Sequence, residues 1–424
     1  MTSAPVSIHI PKREVQRRSL DNGTALLYAP NPYNQIVAVR IFSRLGSKWE
    51  AAAQAGRVNL AMRLLSAGTS QWNEDEIADR LERNGGHFKA EAGKDWSSVD
   101  LLTTTHVLKE DLQTVLALLD DAQFPEDKLA RERDLVRMNI LEDDDSPLTY
   151  TMRRFSEFYF GSHPYAWPSL GKVETLDAIS RNDVACDGRC AFEGGQMVVS
   201  VVGGAENSDV FPIVEEAFAQ RSANQTAKPP GDAQPDLISD NKDCFIRRET
   251  ESDYVVLGYP GCGLNERESL ALRLIASVLG GSMDSRLFRE IREKRGLCYQ
   301  VGAAYTPRLE HSPLLVYTVT TPKNRDEALR CAEAEIERLK VDLVSDEELH
   351  RAKTYLCGSY VMSMESNMGQ AGRYGAYEIA GLGWEYANAF PDDIQSVAPE
   401  AVRETAKRLF THRLLTVATS EADE

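Results

Sequence analysis

The sequence predicts an α+β protein built from two domains, and three observations carry that expectation. At 424 residues the chain exceeds what one hydrophobic core usually supports, so two compact units are expected. Strand-like segments come in hairpin-like groups separated by pairs of helix-length segments, which argues against a doubly wound parallel sheet. Finally, Leu60-Ala61-Met62-Arg63-Leu64-Leu65 recurs as Leu270-Ala271-Leu272-Arg273-Leu274-Ile275, a displacement of 210 residues and close to half the chain. A match so placed marks an internal repeat.

The elements follow in order. In the first half, β-branched and aromatic residues cluster or alternate at 24–30, 36–44, 86–91, 97–105 and 196–203, which predicts strands. Helical spacing predicts helices over 54–67, 74–84, 108–121, 126–143, 148–160 and 208–220, with Asn73 and Glu76 as a capping box for the second. The second half repeats the plan, with strands near 244–249, 253–260, 297–306, 314–321 and 414–419 and long helices at 265–280, 324–341 and 345–363. Between the halves, 221–236 is rich in Pro, Gly, Ala and polar residues, the composition of a linker. The expected division is a domain over 1–222, a linker over 223–240 and a domain over 241–424.

Composition narrows the function. Hydrophobic residues make up 42% of the chain, as in globular proteins, yet no apolar run approaches the ~20 residues of a membrane span. The first residues, MTSAPVSIHIPKRE, carry neither an apolar signal core nor an Arg-rich leader, so a cytoplasmic location is expected. The seven cysteines are scattered, with Cys186 and Cys190 the one close couple and no C-x-x-C pair; reduced thiols fit this pattern best. With 65 acidic against 48 basic residues and a net charge of −17, nucleic acid is disfavoured as a partner. The acidic excess either attracts basic peptides or lies on solvated surfaces such as 142–145.

The stretch from Gly56 to Gly68 organises the first half. Val58, Ala61, Leu64 and Leu65 have the spacing of a helix with one buried face, and Gly68 is a natural stop. Together with NGTALLYAP and AVRIFSRLGSKWE before it, this text resembles the opening of the pitrilysin, insulin-degrading enzyme and mitochondrial processing peptidase family. The resemblance implies two homologous α/β-sandwich-like domains related by the repeat, forming half of a clam-shell dimer. In active members this helix carries H-x-x-E-H, two His on one zinc with the Glu as general base. Here the pattern reads Asn59-Leu60-Ala61-Met62-Arg63, so all three functional positions are lost. The third ligand of the family is a Glu in text resembling R-D-V-V-L-E-E-I; here Met138 and Asn139 stand where two Glu would be. Thioether and amide are poor zinc ligands, and Arg63 is a fixed cation. No metal is expected in this chain. The seven His, at 9, 87, 106, 163, 311, 350 and 412, include no helical i, i+4 pair, so each reads as a surface or satisfied core residue. The strand after the helix has Lys89 where the family shows a substrate-contacting Asn.

The second half keeps its motif. Residues 280–299, GGSMDSRLFREIREKRGLCY, closely match the family's C-terminal signature. The spacing predicts a short helix capped by Asp284 or Ser285, buried through Leu287, Phe288 and Ile291 and ended by Gly296, with Tyr299 on the next strand. In the family an Arg and a Tyr seven residues apart hold the substrate backbone and stabilise the oxyanion; Arg292 and Tyr299 match that pair. A guanidinium and a phenol are suitable donors for this. Read without the family, Arg292 is one of six charged residues on a solvated helix face and Tyr299 is ordinary strand packing.

A lost zinc half beside a kept Arg/Tyr half resembles one subunit of the family's small bacterial heterodimers. The implied function is the non-zinc-binding subunit of a zinc metallopeptidase that processes or degrades peptides. It would be inactive alone and paired with a homologous subunit that bears H-x-x-E-H and the zinc. Two copies of this chain would contain no zinc site. The alternative is a non-enzymatic peptide-binding or scaffold protein of the same fold.

Overall fold

The structure, a computed structural model, describes residues 13–193, 195, 197–205, 208–221 and 240–421. The expected linker, 223–240, lies outside the described residues apart from Asp240.

Two sheets form the frame. The first contains β1 (Gln16–Ser19), β2 (Ala25–Ala29), β3 (Ile36–Ser43), β4 (His87–Ala92), β5 (Ser97–Thr104) and β6 (Met197–Val202). The second contains β7 (Lys242–Arg247), β8 (Asp253–Tyr259), β9 (Cys298–Ala304), β10 (Leu314–Thr320) and β11 (Leu414–Thr419). Their orders are β1-β2-β6-β3-β5-β4 and β7-β11-β8-β10-β9. Set aside β1, a charged edge strand absent from the sequence reading, and the two orders coincide strand for strand. Both also share one parallel pair, β2 with β6 and β7 with β11, among antiparallel neighbours. The repeat seen in six residues is thus a repeat of topology.

The helices of the first half are α1 (Arg57–Arg63), α2 (Glu74–Glu82), α3 (Leu108–Asp121), α4 (Glu126–Asp145), α5 (Pro147–Phe160), α6 (Val173–Ala178), α7 (Arg181–Cys190) and α8 (Val210–Ala219). Those of the second are α9 (Ser269–Gly280), α10 (Pro322–Val341), α11 (Asp346–Ser363), α12 (Asn367–Ile379), α13 (Tyr386–Ser396) and α14 (Pro399–Leu409). The capping box forms as expected: Glu76 N donates to Asn73 Oδ1 and Asn73 N to Glu76 Oε2, each at 2.9 Å. Helix α1 is much shorter than the expected 54–67. It starts after Gly56, whose φ is +99°, and it stops before Leu64 rather than at Gly68. A Cβ on Gly56 would lie 2.6 Å from the carbonyl oxygen of Leu170, so the entry to this helix is pinned by a close backbone approach. Helices α6, α7, α12, α13 and α14 were not anticipated, because weakly periodic segments become helical only where tertiary contacts select them.

Both faces of the central strands β2, β3 and β6 are buried. Leu26, Tyr28, Val37, Val39, Ile41, Val199 and Val201 pack with helices of their own half. The alternate residues Leu27, Ala29, Ala38, Phe42, Val198 and Val202 join the core of the second half, as the period of two along a strand requires. What covers this second face is α12, which lies on β3 and β6. Reciprocally, α5 of the first half lies on β8 and β11 of the second sheet, where Phe155, Tyr159 and Phe160 pack with Tyr165, Val256 and Leu414. Each half therefore lends one helix to the other's sheet. Truncating a buried ring such as Phe155, 1% exposed, would cost about 3–5 kcal/mol.

Candidate functional site

The degenerate helix comes first. In α1, Val58, Leu60, Ala61 and Met62 are buried, so Met62 is a core residue, only 1% exposed. Asn59 and Arg63, one turn apart, face the other way and bond to each other: Arg63 Nε donates to Asn59 Oδ1 at 3.1 Å. Arg63 Nη1 continues to Glu132 Oε2 of α4 at 3.3 Å, and Arg131 Nη2 reaches Glu132 Oε1 at 3.3 Å. Glu132 is 8% exposed. A guanidinium held between an amide and a carboxylate leaves no donor set for a zinc ion, so the residues present do not fit that metal. Among the described residues no group of three or more His, Cys, Asp or Glu is placed to hold one.

The structure does not bring Met138 to this cluster, since its side chain is 56% exposed. Helix geometry explains why: each residue turns about 100°, so Asn139 shares the Glu132 face while Met138 is rotated by about 120°. Glu132 was missed in the sequence. Its spacing of seven from Asn139 was the signal that could have found it.

The N-terminus of α1 is closed by Glu50. Its carboxylate accepts from Gly56 N at 3.0 Å and Val58 N at 2.6 Å. Burial pushes Glu50 up to about 7, against the lowering effect of those two amides and of Lys94.

Two residues before Glu50, Lys48 enters a largely buried cluster that joins the halves. Lys48 Nζ lies 2.8 Å from Glu310 Oε1 and 3.5 Å from Asp95 Oδ1, and His163 Nε2 lies 2.8 Å from Glu310 Oε2. Asp95 also accepts from Tyr165 Oη and, at 3.1 Å, from Leu309 N. Burial pushes the Glu310 carboxyl up, but the bonds from His163 and Lys48 outweigh it and hold the group below its ordinary range. Beside it, Tyr159 Oη and His311 Nε2 are 2.7 Å apart, and burial pushes His311 down to about 4. Asp95 lies at the β4–β5 turn, Lys48 just after β3, Tyr159 in α5 with His163 and Tyr165 just after it, and Leu309, Glu310 and His311 in the β9–β10 loop, so the cluster ties loops of the first half to a loop of the second. Sequence reading could not assemble it, because its members are far apart in the chain.

In the second half the expected helix over the Arg/Tyr motif is a π-helix, Phe288–Glu293, a form common at functional sites. Leu287 and Ile291 are buried as expected, while Phe288 is half-buried. No side-chain cap is made at its start. Anchorage comes instead from Arg286, 8% exposed, whose Nε and Nη2 bond to Glu348 at 2.8 and 3.1 Å. This paired contact holds the Glu348 carboxyl down at about 2. At the other end Gly296, with φ +63°, donates to Arg292 O at 3.2 Å, and Leu297 N donates to Ile291 O at 2.9 Å. The π-helix is thereby stapled to the start of β9.

Arg292 and Tyr299 both reach solvent from this stapled corner. Arg292 stacks on Phe288, its Cζ 5.1 Å from the ring centre, and Tyr299 is 64% exposed. Among the described residues strand β9 pairs with β10 alone, which leaves it at the edge of the sheet. Strand β4 is the corresponding edge of the first sheet, and its Lys89 forms an ion pair with Glu91. No helix among the described residues is long and apolar enough to cross a membrane.

Comparison with known proteins agrees with this architecture. Residues 25–163 match the family described as insulinase (peptidase family M16), and residues 191–356 match the peptidase M16 inactive domain. The chain is 26% identical over 401 residues to an uncharacterized zinc protease, YmxG, of Bacillus subtilis, covering 94% of this chain and 96% of that one. It is 24% identical over 405 residues to an uncharacterized zinc protease of Rickettsia bellii, covering 92% and 94%. Among solved structures, a peptidase M16 inactive domain from Pseudomonas fluorescens superposes with a TM-score of 0.86 at 24% identity, covering 97% of this chain and 99% of that one. A protease from Helicobacter pylori superposes at 0.87 and 18% identity, covering 96% and 100%. With both halves matched and the strand order repeated between them, the chain belongs to peptidase family M16.

Proposed function

We propose that this chain is the non-zinc-binding subunit of a heterodimeric zinc metallopeptidase that processes or degrades peptides. Residues 1–222 and 241–424 are its two domains and together form one half of a clam-shell. The partner is a homologous subunit that carries H-x-x-E-H and the zinc, and this chain supplies Arg292 and Tyr299 to hold the peptide and to stabilise the oxyanion. One observation supports the reading above others. Arg292 and Tyr299 stand solvent-facing on a corner fixed by Arg286 and Gly296, while the α1 site is filled by Asn59, Met62 and Arg63. Division of the site between two chains is physically sound, because catalysis needs the metal and the donors near one substrate and not on one polypeptide. Seven free cysteines favour a reducing, cytoplasmic setting.

The test is affinity purification of the chain from its native source, followed by peptide cleavage. A co-purifying H-x-x-E-H subunit of similar length, with turnover lowered by Arg292→Ala and Tyr299→Phe, is the expected result. Unchanged turnover in both variants would end the proposal. Recovery of the chain alone would leave a peptide-binding or scaffold role.

A further inference from the structure

Helix α7 carries the one close pair of cysteines, and the peptidase reading makes no use of it. Cys186 is exposed and Cys190 half-buried. Their spacing of four residues puts both on one face of the helix, and the neighbouring Cys186 thiol adds to burial in raising Cys190. The rest of the helix is fixed. On the flank beside the cysteines Asp187 is paired with Arg57 of α1 at 2.6 Å, and on the opposite face a Cβ on Gly188 would lie 2.2 Å from the ring of Phe124.

This rigidity decides what the pair can do. Cβ atoms four residues apart on a helix are about 5–6 Å apart, whereas a disulfide needs roughly 3.5–4.5 Å. The pair is too wide to close on itself without unwinding a helix that is packed against α1. It is well spaced to share one inserted atom, since bonds from sulfur to a soft centre are about 2.3 Å each. Thiol ligands select such soft centres.

We propose that Cys186 and Cys190 form a dithiol site that chelates a single thiophilic centre of the trivalent arsenical class, apart from the peptidase machinery. With an arsenoxide, each thiol gives its proton to the arsenic-bound oxygen, one water leaves and two As–S bonds form. Arsenic stays trivalent and neither sulfur is oxidised. Burial pushes the Cys190 thiol up to about 11, so the first bond forms at exposed Cys186. Cys190 then closes the ring as an intramolecular step, favoured by its high effective concentration.

Phenylarsine oxide is the probe, used on the full-length chain with intact-mass detection. One phenylarsenic adduct per chain is expected, formed with loss of one water. It should survive excess monothiol, be removed by dithiothreitol, and protect two of the seven cysteines from alkylation. Cys186→Ser, at an exposed position, and Cys190→Ala should each abolish the monothiol-resistant adduct while thermal melting stays close to wild type. An adduct that persists in both variants, or none that survives monothiol in the wild type, would overturn the site. Clean conversion by diamide to an internal Cys186–Cys190 disulfide would overturn the spacing argument beneath it.

Discussion

The ring of Phe42, on β3, lies so close to Gly375 of α12 that a Cβ there would sit 2.2 Å from its Cε2. The second sheet shows the converse: Gly258, on β8, faces Phe155 of α5, with an imagined Cβ 2.1 Å from the ring Cζ. In one half the strand supplies the ring and the helix the glycine, and in the other these roles are exchanged. The crossed helices that join the halves depend on both contacts. Gly375→Ala and Gly258→Ala should each destabilise the protein by about 1–3 kcal/mol through overpacking, read as a lower urea midpoint. Each alanine should be partly rescued by trimming the facing ring to leucine.

The buried cluster around Glu310 should be sensitive to the loss of one partner. Lys48→Met removes the cation that Glu310 shares with Asp95, leaving Glu310 to His163 alone, and should cost about 3–5 kcal/mol. Replacing Lys48 and Glu310 together by methionine should cost much less than the two single changes added. A double-mutant cycle in urea measures the difference.

At the α1 site a cation already occupies the place between Asn59 and Glu132. Chelator treatment should therefore leave the melting temperature unchanged, and purified chain should contain no stoichiometric zinc by elemental analysis. Arg63→Ala should cost about 1–3 kcal/mol by leaving a buried carboxylate short of a partner. Added zinc should not restore it.

Arg292 and Tyr299 are exposed, so Arg292→Ala and Tyr299→Phe should change stability by less than about 0.5 kcal/mol. In the assembled peptidase the same changes should lower kcat by about 100- to 1000-fold if these donors face the oxyanion. The contrast between melting curves and turnover separates a functional role from a structural one.

Two carboxylates give opposite pH signatures. Glu50 is raised from 4.5 to about 7, so the folded protein keeps a proton that the unfolded chain has lost. Stability should fall as pH rises through that window, by an amount of the order of 3 kcal/mol, and Glu50→Gln should remove the slope. Glu348 is lowered from 4.5 to about 2. Its contribution is present above 4.5 and lost as pH falls toward 2, and Arg286→Met should abolish it. Urea titrations across pH 2–8 test both.

Legibility in the sequence followed the range of the interactions. The capping box at Asn73 was readable because three residues suffice to make it. The central strands were readable because burial on both faces leaves continuous apolar runs such as Met197–Val202, whereas the short, exposed edge strand β1 carries no such run. Glu132 was not readable as the partner of Arg63, since 69 residues separate them. Helix α12 was equally obscure. Its glycines weaken any local helical signal, and only the sheet of the other half explains them.

Taken alone, the sequence determined the repeat, the strands other than β1, the loss of the family's zinc-ligand and general-base residues at Asn59, Met62 and Arg63, and the survival of the Arg292 and Tyr299 motif. These depend on residue identity and on short-range periodicity. Tertiary structure alone decided that each half covers the other's sheet, that Arg63 finds Glu132, and that Lys48, Asp95, His163 and Glu310 share one buried cluster. The physical reason is that such contacts join segments distant in the chain, and their partners are selected by packing and desolvation once the fold has formed.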